Sequence, residues 1–531
     1  MKPTYAASRR QKINLVLCAT VMAAALPAAA DVRLPKIFTD NMMLQRDLPV
    51  RVWGWADAGE AVSVTLAGKE ARTKADEDGR WALELPAMKA GEKLELEVKG
   101  INSLTLKNVI VGDLWVCSGQ SNMEMGLGGC LGAEEDIKAA DLPMIRRIKF
   151  NHVQSAQPEP DAPTATSWQV CSPETAGGFT AVGFYFARVI QEKTGVPIGI
   201  VDVNWGGTPI EPWVATEGLA LVDELKPAYV ARQEAIKGYR AGLPEDLVAM
   251  EEWISRTRGD LASGTETSSP PAMPVHPGGS GWSGMYNAMI APIVRFPIKG
   301  ALWYQGESNG NEGETYYHKK QALVGGWRQQ WAQGDFPFYF VQLANFQGVS
   351  EDPAGGNGWA KLREAQSKSL SIPNTGMAVI IDTVPLAEAG DIHPRNKYDV
   401  GTRLASWALG RDYGQKDVVV SGPLFKALKI EGNTARLTFE HTGTGLMAGK
   451  KEGRSPAVEA KGEKLKHFAV AGADKKWFWA DAVIVDETVS VSSPEVKEPV
   501  AVRYAFQMNP DGANLYNREG LPASPFRTDD W

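Results

Sequence analysis

Leu114-Trp-Val-Cys-Ser-Gly-Gln-Ser-Asn-Met123 is the stretch on which the reading of the fold turns. An apolar run ends abruptly in a polar turn. A strand covered on both faces reads as a continuous apolar run rather than an alternation, so this segment predicts an inner strand of a parallel sheet. The same rhythm recurs at Ile198-Gly-Ile-Val-Asp-Val203, Ala301-Leu-Trp-Tyr304, Phe338-Tyr-Phe-Val-Gln-Leu343 and Met377-Ala-Val-Ile-Ile381. Helical stretches at 184–191, 362–370 and 400–409 lie between or after them. Together they predict an α/β domain over residues 108–415, a parallel sheet with helices on both faces. In such sheets chemistry gathers at the carboxyl ends of the strands.

On either side the pattern is all-β. In 31–107, Val50-Arg-Val-Trp-Gly-Trp55, Ala61-Val-Ser-Val-Thr-Leu66 and Leu94-Glu-Leu-Glu-Val98 alternate apolar and polar residues between turns. This predicts a small N-terminal β-sandwich with Trp53 and Trp55 in its core. In 416–531, Ala435-Arg-Leu-Thr-Phe439, Ala482-Val-Ile-Val485 and Val500-Ala-Val-Arg-Tyr-Ala505 predict a C-terminal β-domain. Residues 216–280 interrupt the α/β pattern. Leu219, Leu221, Val222, Leu225, Leu247, Met250, Trp253 and Ile254 predict an amphipathic helical insertion, and the Ser/Thr/Pro/Gly-rich run 263–280 a surface loop.

The 531 residues carry 44% hydrophobic and 22% charged residues and a net charge of −7, which fits a globular chain of several domains. That balance offers no positive field for nucleic acid or anionic lipid. Residues 1–30 predict a signal peptide: Arg9, Arg10 and Lys12, an apolar run, then Ala28-Ala29-Ala30. The expectation is an exported protein, periplasmic or secreted, with no integral membrane segment after cleavage. Of the remaining cysteines, Cys117 falls in strand sequence, whereas Cys130 and Cys171 lie in loop-like sequence and can pair in an oxidising compartment. No His/Cys cluster has metal-ligand spacing.

Four polar turns follow four of these elements. Gly119-Gln120-Ser121-Asn122-Met123 puts a serine on a turn at a strand end. Asn204-Trp205-Gly206-Gly207-Thr208 offers backbone N–H groups that can approach a ligand closely. Trp303-Tyr304-Gln305-Gly306-Glu307-Ser308-Asn309 carries an amide able to donate to an oxyanion. Asp391-Ile392-His393-Pro394 carries the base a serine nucleophile needs, with a carboxylate two residues away. Each has an ordinary alternative as a turn, a polar loop or a solvated histidine. Their agreement, in workable order and each after a different strand, points to nucleophilic acyl transfer.

These blocks resemble those of the sialate O-acetylesterase family, within the SGNH or GDSL-like hydrolases. The resemblance extends from Leu34-Pro35 and Met43-Leu44-Gln45 to Gly512-Ala-Asn-Leu-Tyr-Asn517 and Pro525-Phe-Arg-Thr-Asp529. It implies a three-layer α/β/α catalytic domain, Ser121 as nucleophile, His393 as base and Asp391 as the acid. It also implies an oxyanion hole from the N–H of Ser121, the N–H of Gly206 or Gly207, and the Asn309 amide. Gln120, Gln305, Glu307 and Trp205 are then supporting or substrate-binding residues. SGNH enzymes usually place the acid three residues before the histidine rather than two, so Asp382 and Glu307 stand as alternative orienters. No metal or organic cofactor is implied. The implied substrate is an acetylated carbohydrate, either sialic acid or a hemicellulose fragment of xylan or xyloglucan. Trp205, Trp213, Trp282, Trp303 and Trp359 lie near the turns as candidates for stacking on a sugar, with core packing expected for at least half. Arg188, Arg363 and Arg395 are candidates to clamp a sialic acid carboxylate. The competing reading is an exported, non-catalytic glycan-binding protein.

Overall fold

A computed structural model of the chain describes residues 31–531 apart from Ser280, so the expected signal peptide lies outside the described residues. The architecture is mixed α/β, a central sheet flanked in sequence by further β-structure. The strand expected at Leu114 is the end of a 17-residue strand, β1 (Ser103–Gly119). The rest of the central sheet is β2 (Leu142–Lys149), β3 (Gln169–Cys171), β4 (Ile198–Asn204), β5 (Gly300–Tyr304), β6 (Phe338–Val341) and β7 (Thr375–Ala378). Their order is β7-β6-β5-β1-β4-β2-β3. All neighbours are parallel except the edge strand β3, which runs antiparallel to β2.

Every residue of β4 and β5 is buried, as their apolar runs require. The principal helices are α1 (Ser121–Glu124), α2 (Ala181–Thr194), α3 (Lys226–Ser263), α4 (Glu314–Trp331), α5 (Ala360–Lys368) and α6 (Lys397–Arg411). α2 packs on α6, and α4 on α5. A chain of aromatic contacts, Trp213–Trp303–Trp327–Trp331, joins β5 to α4 with ring centroids 5.8–6.2 Å apart. Seven of the 17 tryptophans are fully buried among the described residues and serve as core.

The register of β1 positions the chemistry. Gly119 lies opposite Asn204 on one side and Tyr304 on the other. The turns following β1, β4 and β5 therefore leave the sheet at the same level. The other half of β1 belongs to the N-terminal β-structure, pairing antiparallel with Gly91–Lys99 and parallel with Met43–Gln45. The boundary expected at 107/108 falls inside this strand. Trp53 is buried against Phe38 and Phe296, fastening the N-terminal region to the central one, whereas Trp55 is half-buried.

The helical insertion is dominated by the single 38-residue helix α3, with Pro244 inside it. Leu219, Val222 and Leu225 are buried ahead of it, but Leu221, Leu247 and Ile254 are exposed. Only Arg232 of α3 is buried among the described residues, so the apolar pattern of its far half covers no core. Cys130 and Cys171 are free thiols rather than a pair. Both are buried, which pushes their thiols up to about 11 and about 12.

Candidate active site

Gly119 has a φ of +134°, and a Cβ there would collide with the Tyr304 carbonyl. Only glycine lets β1 turn this sharply beside β5. The Gln120 N–H then donates to the Tyr304 carbonyl at 3.0 Å, and Ser121 opens α1. Ser121 Oγ lies 2.9 Å from His393 Nε2. His393 Nδ1 lies 3.3 Å from Asp391 Oδ1, and the same oxygen accepts the His393 backbone N–H at 2.9 Å. The two-residue spacing is thus compatible with contact, because the carboxylate folds back over the turn. The Ser121 and His393 side chains, 272 positions apart in sequence, are thus joined by a hydrogen bond, and the Asp391 carboxylate lies beside the imidazole. Asp382 is elsewhere, held by Arg403 at 2.6 and 2.8 Å.

Glu307 does not reach His393 either. Its Oε1 accepts from Asn122 Nδ2 at 2.5 Å, while a second Asn122 bond of 3.0 Å goes to the carbonyl of Ile392, the residue before the histidine. Lys397 Nζ donates to Asn122 Oδ1. Burial pushes the Glu307 carboxyl up and pulls the Lys397 ammonium down to about 8. Asn122 thereby ties the serine turn to the histidine loop. The sequence reading missed Asn122 and Lys397 as site residues; the only signal was adjacency to Ser121 and to the Asp-Ile-His-Pro block. Gln120 Oε1 accepts the N–H groups of Gly306 and Ser308 at 3.4 and 3.3 Å, joining the first and third turns.

On the other flank, Gly206 sits against Ser121, where an added Cβ would lie 3.3 Å from the serine Cβ. Its N–H donates to Glu124 Oε2 at 2.7 Å. Among the described residues, the N–H groups of Ser121 and Gly207 carry no hydrogen bond. Gly207 is exposed with a φ of +73°.

Asn309 departs from expectation. Its Oδ1 accepts from the Ile210 N–H at 3.0 Å and from Gln305 Nε2 at 2.7 Å. Its Nδ2 donates to Glu211 at 3.2 Å and Glu312 at 3.0 Å. Two carboxylates gathered by Lys319 claim both amide protons, so Asn309 braces the second and third turns and makes no bond to Ser121. Gln305 is buried in the same brace and donates to the Thr208 carbonyl.

Trp213, Trp303 and Trp359 are buried, leaving Trp205 and Trp282 half-buried. Trp205 stacks on His152. Arg363 is fully buried and donates to the carbonyls of Leu343, Ala344, Gln507 and Met508. Arg188 is paired with Asp136 at 2.8 Å. Arg395 is exposed beside a cavity of about 310 Å³ that Lys450 and Glu388 also line. Among the described residues no group of three or more His, Cys, Asp or Glu is placed to hold a metal, and no helix is long and apolar enough to cross a membrane.

Residues 111–239 and 275–409 match the family described as carbohydrate esterase, sialic acid-specific acetylesterase. The gap in that match falls on the far part of α3 and the loop after it. Sialate O-acetylesterase of Rattus norvegicus is 28% identical, covering 97% of this chain and 97% of that protein. The human sialate O-acetylesterase is 28% identical over 93% of this chain and 92% of its own length. The crystal structure of a carbohydrate acetylesterase from Xanthomonas citri is 36% identical with a TM-score of 0.77, covering 94% of this chain and 100% of that one.

Proposed function

The chain belongs to the sialic acid-specific acetylesterase family of carbohydrate esterases and is an esterase, and from that premise we propose a Ser121–His393–Asp391 mechanism that releases acetate from sugar hydroxyls. The observation that carries the proposal is the 2.9 Å approach of His393 Nε2 to Ser121 Oγ at the carboxyl end of β1. We read the catalytic α/β region as an SGNH-type layered fold, in keeping with a largely parallel sheet and the packed helix pairs α2–α6 and α4–α5. The basic, apolar and alanine-rich start of the sequence supports export. The competing idea of a non-catalytic glycan-binding protein does not fit an esterase.

In the proposed cycle His393 Nε2 takes the Ser121 proton as Oγ attacks the acetyl carbonyl. The electron pair of the C=O bond moves onto oxygen, where fixed donors stabilise it most. The free N–H groups of Ser121 and Gly207 are the donors this reading assigns. The C–O bond to the sugar then breaks, and its oxygen leaves with the proton from His393. Water, deprotonated by His393, attacks the acetyl-enzyme in the same geometry and acetate is released. Asp391 holds His393 with Nδ1 protonated, so that Nε2 is the basic nitrogen.

The test is acetate release from an acetylated oligosaccharide, together with p-nitrophenyl acetate hydrolysis, in wild type and Ser121→Ala. Loss of both activities in the variant is expected. A variant that keeps a tenth of the wild-type rate would remove Ser121 from the mechanism.

A further inference from the structure

On the α1 side of the site stand three side chains with no part in the ester chemistry. Glu124 shares the turn of α1 that begins with Ser121. One of its carboxylate oxygens holds the Gly206 N–H at 2.7 Å. The other lies 2.8 Å from His152 Nε2 and 4.0 Å from Lys149 Nζ. His152 in turn lies flat on Trp205, with ring centroids 4.8 Å apart and planes within 9°. The Glu124 and His152 side chains keep 30% and 36% of their surface, so a ligand at Ser121 can reach them.

This wall has a definite chemistry. Two parallel stacked rings leave an outer aromatic face, and such a face suits the apolar side of a pyranose. A carboxylate beside it accepts hydrogen bonds from sugar hydroxyls. A sugar acid needs something different, a free cation and best of all a forked guanidinium. The cations at this wall are already engaged. Lys149 donates to Asn204 at 2.5 Å and to Asp202 at 3.3 Å besides facing Glu124. Arg147 is bound to Asp202 at 2.6 Å. His152 faces Glu124, Arg188 and Arg363 are committed to other partners, and Arg395, exposed, lines a cavity whose walls do not include Ser121. A carboxylate arriving beside Ser121 therefore meets Glu124, and two like charges in a partly dry cleft repel.

We propose that Glu124, His152 and Trp205 form the sugar subsite beside Ser121, and that Glu124 makes it select uncharged acetylated sugars over acetylated sugar acids. The proposal rests on the reading of Ser121 as the nucleophile of a sugar acetylesterase and names the substrate class of that same site.

The experiment measures kcat/KM on an acetylated xylo-oligosaccharide, on O-acetylated sialic acid and on p-nitrophenyl acetate. Wild type should favour the xylo-oligosaccharide over sialic acid by about tenfold or more. Glu124→Gln should raise the ratio of sialic acid to xylo-oligosaccharide activity by about fivefold or more, because the repelling charge is gone and His152 loses its anionic partner. A purely structural injury would lower all three activities together and leave that ratio unmoved. His152→Ala and Trp205→Ala should each lower the ratio of xylo-oligosaccharide to p-nitrophenyl acetate activity by about fivefold or more, chiefly through KM. His152 is exposed, so its variant keeps the test open if Trp205→Ala misfolds. A wild-type preference for acetylated sialic acid overturns the proposal, as do ratios unchanged in Glu124→Gln and the ring variants. If wild type cleaves none of the three esters, or Ser121→Ala cleaves them as fast, the esterase mechanism itself falls and the subsite with it.

Discussion

The site has a wet rim and a dry floor. On the rim, the His393 and Asp391 side chains retain 40% and 62% of their surface and each makes few bonds. On the floor, Asn122, Gln305 and Lys397 are buried, and Asn122 alone holds Glu307, Ile392 and Lys397. The atoms proposed to react must meet substrate and water, which fits their place at the surface. Their spacing is set one layer below, where a lower dielectric strengthens each polar bond and makes each broken one costly. Rim substitutions should therefore report on chemistry, and floor substitutions on geometry and folding together.

The sharpest division comes from Ser121→Ala. It should lower kcat for p-nitrophenyl acetate by about a thousandfold or more, because a bond-forming atom is lost. The melting temperature should stay within about 2 °C of wild type, since no core packing changes. A large drop in stability would show that the rim is structural.

Lys397→Met is the floor counterpart. It strips Asn122 of a donor and Glu307 of its nearby cation, so activity should fall about a hundredfold as the floor loses its geometry. The charge has a pH signature. Lys397 titrates at about 8 in the fold and near the usual 10.4 when unfolded, so between those values the unfolded chain binds more protons. Its contribution makes wild-type stability rise with pH across that window. The variant should lack that part of the rise in urea titrations at pH 8 and pH 10.

Asp391→Asn should cost about tenfold in kcat, well short of the roughly ten-thousandfold seen when a buried triad acid is neutralised, because solvent screens this carboxylate. A much larger loss would mean that the rim dries when substrate binds. Asn309→Ala should lower kcat less than about tenfold, not the hundredfold or more of a lost oxyanion donor. Its main effect should be a melting temperature lowered by a few degrees as Glu211 and Glu312 lose a shared donor. A hundredfold fall in kcat with an unchanged melting curve would restore the oxyanion role.

Sequence alone exposes the strands that end at Gly119, Asn204 and Tyr304, because burial on both faces leaves apolar runs. The turns after them are equally plain, since glycine, serine and amide residues cluster there. β2 is not legible. Leu142-Pro-Met-Ile-Arg-Arg-Ile-Lys149 places two arginines in its middle, and they are tolerated because Arg147 pairs with Asp202 and Arg146 donates to the Asn41 carbonyl. Asn309 could not be assigned either, because its partners Glu211 and Glu312 come from separate turns. Glu124 carries no signal in the sequence, and its contact with the Gly206 N–H appears only in the fold. In the insertion the apolar pattern announces helix, but not that one helix runs unbroken past Pro244.

The long strand β1 also imposes a schedule on synthesis. Its first half can pair at once with Gly91–Lys99, which the ribosome has already released. Its second half, which presents Ser121, waits for β4 from Ile198 and for β5 from Gly300. At usual elongation rates the second wait lasts on the order of ten seconds or more. Throughout it the nascent chain carries an apolar edge with open hydrogen-bonding groups, anchored at one end and unfinished at the other. The strand that presents Ser121 is thus open to a wrong partner for much of the time the chain is being made.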